Sequence, residues 1–199
     1  MEEIIRKRRS IRKYKDVLPP EECIEKILWC ALWSPSPSNI QPVRYIRIES
    51  DNIRERLYQH MCDGKERLLK GWEVSGSSKR LRNWIDVYYT RYSQFMFDAP
   101  VIFAVGLVNP RDGFYMALKE AGIENSYDQS HGFHISLGLS LSHFILEAEE
   151  LGLATCILTT PLIFLGDLNK VLGVKDIDIR CFVTLGFPAE SPEAPKRLS

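Results

Sequence analysis

At 199 residues and 45% hydrophobic, with 26 Lys and Arg against 26 Asp and Glu, the chain has room for a sizeable core and carries no net charge. A balanced charge leaves nothing global to attract nucleic acid or acidic lipid, and no apolar stretch reaches the roughly 18 residues of a membrane span. Five scattered cysteines (Cys23, Cys30, Cys62, Cys156 and Cys181) form no CxxC pair, which argues against a disulfide framework or a zinc site and for buried free thiols in a reducing cytoplasm.

The positive charge is local. Arg6, Lys7, Arg8, Arg9, Arg12, Lys13 and Lys15 crowd the first fifteen residues against Glu2 and Glu3. No apolar run follows this basic cluster, so a signal peptide is not expected. Residues 2–9 suit a short opening helix. Pro19-Pro20-Glu21-Glu22 starts a second, with proline at the entrance and acids in the first turn, and Ile24, Ile27, Leu28, Ala31 and Leu32 give it one apolar face. The Ser/Pro stretch at 34–38 stops that helix, and Val43 to Ile48 suits a strand. From 52 to 97 the chain is charged and aromatic, with Gly71, Ser75, Gly76, Ser77 and Ser78 dividing it into two helices. Trp84, Tyr88, Tyr92 and Phe95 share roughly one helical face, fit either for packing or for a wall over a ligand.

Pro100 to Val108 is nearly all apolar, as in a strand buried on both faces. Residues 113–121 suit a helix. Ser126 or Asp128 could cap a long one running to Leu151, whose small residues (Gly132, Ser136, Gly138, Ser140, Ser142) let another helix approach. Ala154–Leu158 and Cys181–Leu185 read as short buried strands, with a helix near 162–172 ended by Gly173. Pro188–Pro195 reads as an extended polar tail. Strands separated by helices give an α/β or α+β class, here one domain over 1–199. No GxGxxG and no GxxxxGK[ST] is present, which disfavours a dinucleotide fold of the usual kind and a P-loop.

Two segments carry chemistry. In Arg8-Arg9-Ser10-Ile11-Arg12, guanidinium groups and a hydroxyl suit a phosphate monoester, which carries nearly two charges and three acceptor oxygens. In an extended stretch Ser10 and Arg12 point to one side, joined by Arg8 if the extension reaches back that far. In Pro35-Ser36-Pro37-Ser38-Asn39-Ile40-Gln41-Pro42, prolines stiffen the loop, while Asn39 and Gln41 each offer a donor and an acceptor to a heteroaromatic edge. The plainer readings are a solvated basic terminus and an ordinary connection. Asp128, His131 and His134 share a helical face, but cap and surface roles outweigh a metal site. His60 and His143 are isolated. Lys79, Arg80 and Arg82 read as a solvated face, and no G-x-S-x-G elbow suggests a serine hydrolase.

The two segments, in this order, resemble the R-R-S-x-R and P-S-x-x-N-x-Q-P motifs of the FMN-dependent nitroreductase family. Glu150-Leu151-Gly152-Leu153-Ala154-Thr155-Cys156 and Leu185-Gly186-Phe187-Pro188-Ala189-Glu190 with Pro195-Lys196-Arg197 resemble its helix-to-strand passage and its closing strand and basic tail. The resemblance covers residues 4–197. It implies an α+β, three-layer α/β/α sandwich with a mixed, mainly antiparallel sheet, assembled as a homodimer with FMN at the interface. Arg8, Arg9, Ser10 and Arg12 would hold the phosphate, the ribityl chain and the pyrimidine edge, with Lys196 and Arg197 adding cations. Pro35, Ser36, Pro37 and Asn39 would come from the other subunit, and Gln41 follows the same pattern. Leu158, Thr159 and Thr160 would lie beside the flavin ring. The implied activity takes hydride from NADH or NADPH to FMN and passes electrons to a nitroaromatic, quinone or similar electron-poor acceptor by a ping-pong scheme, with no catalytic side chain assigned. The alternatives are flavin storage, dehalogenation or breakdown of the flavin. Val43, where many members have tryptophan, and Thr159-Thr160-Pro161, in place of a glycine-rich stretch, depart from the pattern on the substrate side.

Overall fold

A computed structural model of the chain describes residues 1–108, 113–123 and 130–196. The first helix, α1 (Glu2–Lys7), is followed by α2 (Glu21–Leu32). Pro20 stands at the cap of α2 and Glu21 and Glu22 in its first turn, so the acids meet the positive end of the helix dipole. Ile24, Ile27 and Ala31 form its buried face. A short 3-10 turn, Pro37–Asn39, leads into strand β1 (Val43–Arg47).

Two helices follow, α3 (Asp51–Ser75) and α4 (Lys79–Tyr92). The chain breaks between them at Gly76, which adopts φ 62°, a conformation open to glycine without strain. Gly71 does not break α3 but lies inside it. A 3-10 turn, Gln94–Asp98, precedes β2 (Val101–Val108), in which every residue from Val101 to Leu107 is buried, as its continuous apolar run predicts. Then come α5 (Gly113–Glu120), α6 (Ser130–Glu150) and β3 (Ala154–Leu158). The helix expected near 162–172 is two pieces, a 3-10 turn at Thr160–Ile163 and α7 (Leu168–Leu172), with Gly166 between them. Strand β4 (Ile177–Gly186) completes the sheet.

The strand order is β1-β2-β4-β3, and all three pairings are antiparallel. Among the described residues the parallel component of the expected mixed sheet is one isolated bridge, Ser10 to Thr155. Each sheet face carries its own core. On one side Phe103, Val105, Val183 and Leu185 pack under Ile24 and Ile27 of α2 and Phe133, Leu137 and Phe144 of α6. On the other, Ile102, Ala104 and Phe182 pack under Leu57 and Met61 of α3, Ile85 and Tyr89 of α4, Phe164 and Val171. The result is a three-layer α/β/α arrangement. Gly132, Ser136 and Ser140 of α6 are buried, and the Ser140 hydroxyl donates to the carbonyl of Ala31 at 2.8 Å, so the small residues do admit α2. No helix among the described residues is long and apolar enough to cross a membrane.

Candidate flavin site

The basic segment leaves α1 and lies along the β3 edge of the sheet. Ile11 N–H donates to the Thr155 carbonyl at 3.0 Å, and Ser10 bridges Thr155. A second tie comes from the far end of the chain. Lys15 N–H donates to the Phe187 carbonyl, and Ala189 N–H to the Lys13 carbonyl, each at 2.9 Å. One Glu190 carboxylate oxygen accepts from the backbone N–H groups of Arg12 at 2.6 Å and Lys13 at 3.2 Å. The Arg12 backbone amide therefore turns to the tail, and the strand-like pairing stops after one bridge.

Ser10, bridged to the neighbouring Thr155, and the charges of Arg8 and Arg12 lie close enough to the buried Cys156 thiol to influence it. Burial nevertheless wins and pushes the Cys156 thiol above its ordinary range, against the opposing pull of Arg12, Arg8 and Ser10. Beneath them the Tyr14 hydroxyl donates to the Ile11 carbonyl at 2.6 Å and lies 2.7 Å from the Thr184 hydroxyl. Burial holds this phenol protonated well above the usual tyrosine range. The Arg12 guanidinium stands over the Phe95 ring, 5.9 Å from its centroid.

Arg9 behaves differently. It turns back on its own segment, donating from Nη1 to the carbonyls of Arg6 at 2.6 Å and Arg8 at 2.7 Å. Its Nε is buried with no hydrogen-bond partner among the described residues. A buried guanidinium donor without an acceptor is costly, and the segment as it stands fits an anion that supplies one. Lys196 is exposed, and Arg197 lies outside the described residues.

The Ser/Pro loop sits elsewhere. Ser38, Asn39 and Gln41 have φ of 48°, 55° and 53°, a left-handed conformation that costs non-glycine residues roughly 1–2 kcal/mol each. The loop holds this shape by its own bonds. Gln41 N–H donates to the Ser36 hydroxyl at 2.9 Å, and the Gln41 amide donates to Asn39 Oδ1 at 3.1 Å. Pro35, Pro37, Asn39 and Gln41 are exposed, and Ser36 is half-buried. A cavity of about 40 Å³ beneath the loop is lined by Ser34, Ser36, Gln41, Ser136 and Ser140 among others. Strain of this kind concentrates at binding sites.

The two segments do not meet within one chain. The loop feeds β1 at one edge, whereas the arginines lie beyond β3 at the other. Four inter-strand steps separate them, about 19 Å across the sheet. Val43 is aligned through Leu107 with Asp178, and Ser10 through Thr155 with Leu185, which is paired with Val101, so they are also offset by about 20 Å along the strands.

Leu158 ends β3 in the core, Thr159 is exposed, and Thr160 opens the following turn. The stretch thus starts on the strand that carries Thr155 and Cys156, beside the arginines. Glu190 is the contact that sequence reasoning passes over. It appears there only as the end of a closing motif, because a long-range carboxylate clamp leaves no periodic trace. Among the described residues no group of three His, Cys, Asp or Glu side chains is arranged for a metal ion. His134 Nδ1 lies 2.6 Å from the Ser130 carbonyl, and Asp128 lies outside the described residues.

Comparison with known proteins agrees with this architecture. The Iodotyrosine deiodinase of Thermotoga neapolitana is 23% identical over 197 residues, covering 98% of this chain and 92% of the relative. Two solved structures share the fold. The BluB-like flavoprotein from Clostridium difficile 630 superposes with a TM-score of 0.84 at 24% identity, covering 100% of this chain and 94% of the other. An FMN-dependent nitroreductase from Clostridium difficile R20291 superposes with a TM-score of 0.65 at 20% identity, covering 98% and 92%. The Nitroreductase family profile matches residues 5–187, and the chain belongs to that family, a family of flavin oxidoreductases.

Proposed function

We propose that the chain binds FMN and uses it as an oxidoreductase, taking reducing equivalents from NADH or NADPH and delivering them to a nitroaromatic, quinone or similar electron-poor acceptor. The observation that carries this reading is the basic segment held along the β3 edge, with Ser10 bridged to Thr155, the Arg12 guanidinium over Phe95, and the Arg9 Nε donor buried without a partner among the described residues. Arg8, Arg9 and Ser10 hold the phosphate and ribityl chain, with Lys196 and Arg197 adding charge. Arg12 sits at the pyrimidine edge, where its charge favours the reduced, anionic form. Backbone groups of Leu158, Thr159 and Thr160 line the ring. Bound there, FMN supplies the redox chemistry, and the side chains supply placement and charge.

Pro35, Ser36, Pro37, Asn39 and Gln41 reach the same FMN from a second copy of the chain, because the sheet holds them too far away within one copy. The partner is therefore a second copy of this chain in a homodimer, and the compartment is the cytoplasm, in keeping with five free cysteines. The test is the visible spectrum of the purified protein, followed by titration with NADH and NADPH without oxygen. A yellow protein bleached by either nucleotide and restored by a nitroaromatic is the expected result. A colourless protein that ignores added FMN overturns the reading.

A second reading, reductive dehalogenation of an aromatic substrate at the same site, draws on the alignment with a deiodinase over nearly the whole chain. Halide release under anaerobic turnover with a halophenol separates it from nitroreduction.

A further inference from the structure

Helix α4 buries little of itself. Ile85 and Tyr89 face the core, and the Tyr89 ring meets Phe164 edge-to-face at 5.4 Å. Along one flank of that face Leu81, Trp84, Val87, Tyr88 and Tyr92 are 37% to 50% exposed. Five large apolar or aromatic residues facing water on one short helix is a patch of the kind that marks an interaction site. Trp84, Tyr88 and Tyr92 follow at four-residue spacing, and the last two rings meet at 5.7 Å.

The charges on α4 are arranged around these rings. Its lone acid, Asp86, is paired with Lys65 at 2.8 Å. Arg80 stands 4.6 Å over Trp84, Arg82 stands 5.5 Å over Trp72, and Arg91 stands 5.8 Å from the centroid of Tyr92. Among the described residues none of the three has a carboxylate within ion-pair distance. A guanidinium stacked on a ring keeps its N–H edge free, and that edge matches a phosphate.

The stripe leads to the candidate flavin site. The turn after α4 places Phe95 under Arg12, and α4 packs against the turn that starts at Thr160. From Arg80 to Tyr92 the helix rises about 18 Å. A one-ring acceptor cannot span that length. A ligand with a reactive ring at one end, then phosphates, then a second aromatic base can.

We propose that the exposed face of α4 docks the adenosine-diphosphate half of the reduced nicotinamide dinucleotide, with Arg91 on the phosphate oxygens, the adenine on the Trp84 and Tyr88 rings, and Arg80, stacked over Trp84, bounding the adenine end. This rests on the flavin site proposed above, towards which the nicotinamide end points. Nucleic acid fits less well, since four cations on one helix of a chain with no net charge make a short footprint.

The decisive measurement is calorimetric titration of the FMN-loaded protein with ADP-ribose, which has the base and both phosphates but no nicotinamide. Wild type is expected to bind it, and Arg80→Gln and Trp84→Ala are each expected to bind it about tenfold more weakly. Flavin content stays unchanged in both, because neither residue touches the arginine segment. In steady state the KM for NADH or NADPH rises in step, whereas the rate with a truncated dihydronicotinamide lacking the adenosine diphosphate is the same in all three proteins. Wild type that does not bind ADP-ribose, variants that bind it equally well, or a single-stranded oligonucleotide that displaces it would each overturn the assignment. A protein without flavin would sink the proposed oxidoreductase instead, and the ADP-ribose titration reads α4 separately.

Discussion

Arg12 and Glu190 form one unit. The guanidinium stands over Phe95, while the backbone N–H of the same residue is fixed by the Glu190 carboxylate. Replacing the side chain removes the charge, and replacing the acid leaves the charge but frees its support. Arg12→Ala is expected to weaken FMN retention by about tenfold or more, the worth of one charge-assisted hydrogen bond, and to lower the reduction potential of what remains bound. Unchanged flavin content and potential in that variant would remove Arg12 from the site. Glu190→Ala is expected to weaken FMN with little change in potential, since Arg12 keeps its charge. Flavin fluorescence on dilution and a dye-coupled potential measurement read the two effects apart. The cations of this segment were legible in the sequence as a composition. That Arg9 would turn back onto the carbonyls of Arg6 and Arg8 was not, because a side chain of that length chooses among acceptors only once the neighbouring backbone is folded.

At the level of elements, Gly64 shows how closely α3 approaches the turn after β3. A methyl group added there would lie 1.7 Å from the carbonyl oxygen of Phe164, so the helix or the turn has to move. Gly64→Ala is expected to destabilise the fold by at least the roughly 1–3 kcal/mol typical of overpacking, read as a lower urea midpoint. Gly71→Ala, where nothing among the described residues lies within 4 Å, is expected to stabilise by up to about 1 kcal/mol through helix propensity. An equal effect at both positions would refute the close approach. The same pair explains what the sequence could and could not show. Two helices between 52 and 97 were legible, and so was β2, since its apolar run has no polar interruption. Gly71 and Gly76 look alike in sequence, yet only the second takes a left-handed conformation. The strand order was also not legible, because pairing partners are chosen by contacts between segments far apart in the chain. The Ser/Pro loop announced its stiffness through its prolines but not its three strained residues.

For the whole molecule, the layers lead to two predictions. The first is alkaline sensitivity. Burial raises the phenols of Tyr14 and Tyr45 above their ordinary value. The folded state then keeps protons that the unfolded chain loses above about pH 10, so their contribution is complete below that pH and declines as pH rises through it. The urea midpoint is expected to be flat from neutral pH to about 9 and to fall beyond about 10, with a shallower fall in Tyr45→Phe. The second concerns the homodimer proposed above. The arginine segment and the strained loop lie about 28 Å apart when the two sheet displacements are combined, so one flavin cannot touch both within a chain. The layer formed by α2 and α6 meanwhile leaves Trp29, Leu32, Trp33, Ile135 and Leu139 exposed, an apolar face suited to a second copy of the same face. Ile135→Glu or Trp33→Glu is expected to yield monomers by sedimentation and to release flavin at concentrations where wild type keeps it, although neither residue belongs to the arginine segment or the loop. A wild-type monomer that retains FMN on dilution would show that one set of residues suffices, and the loop would then need another explanation for its strain.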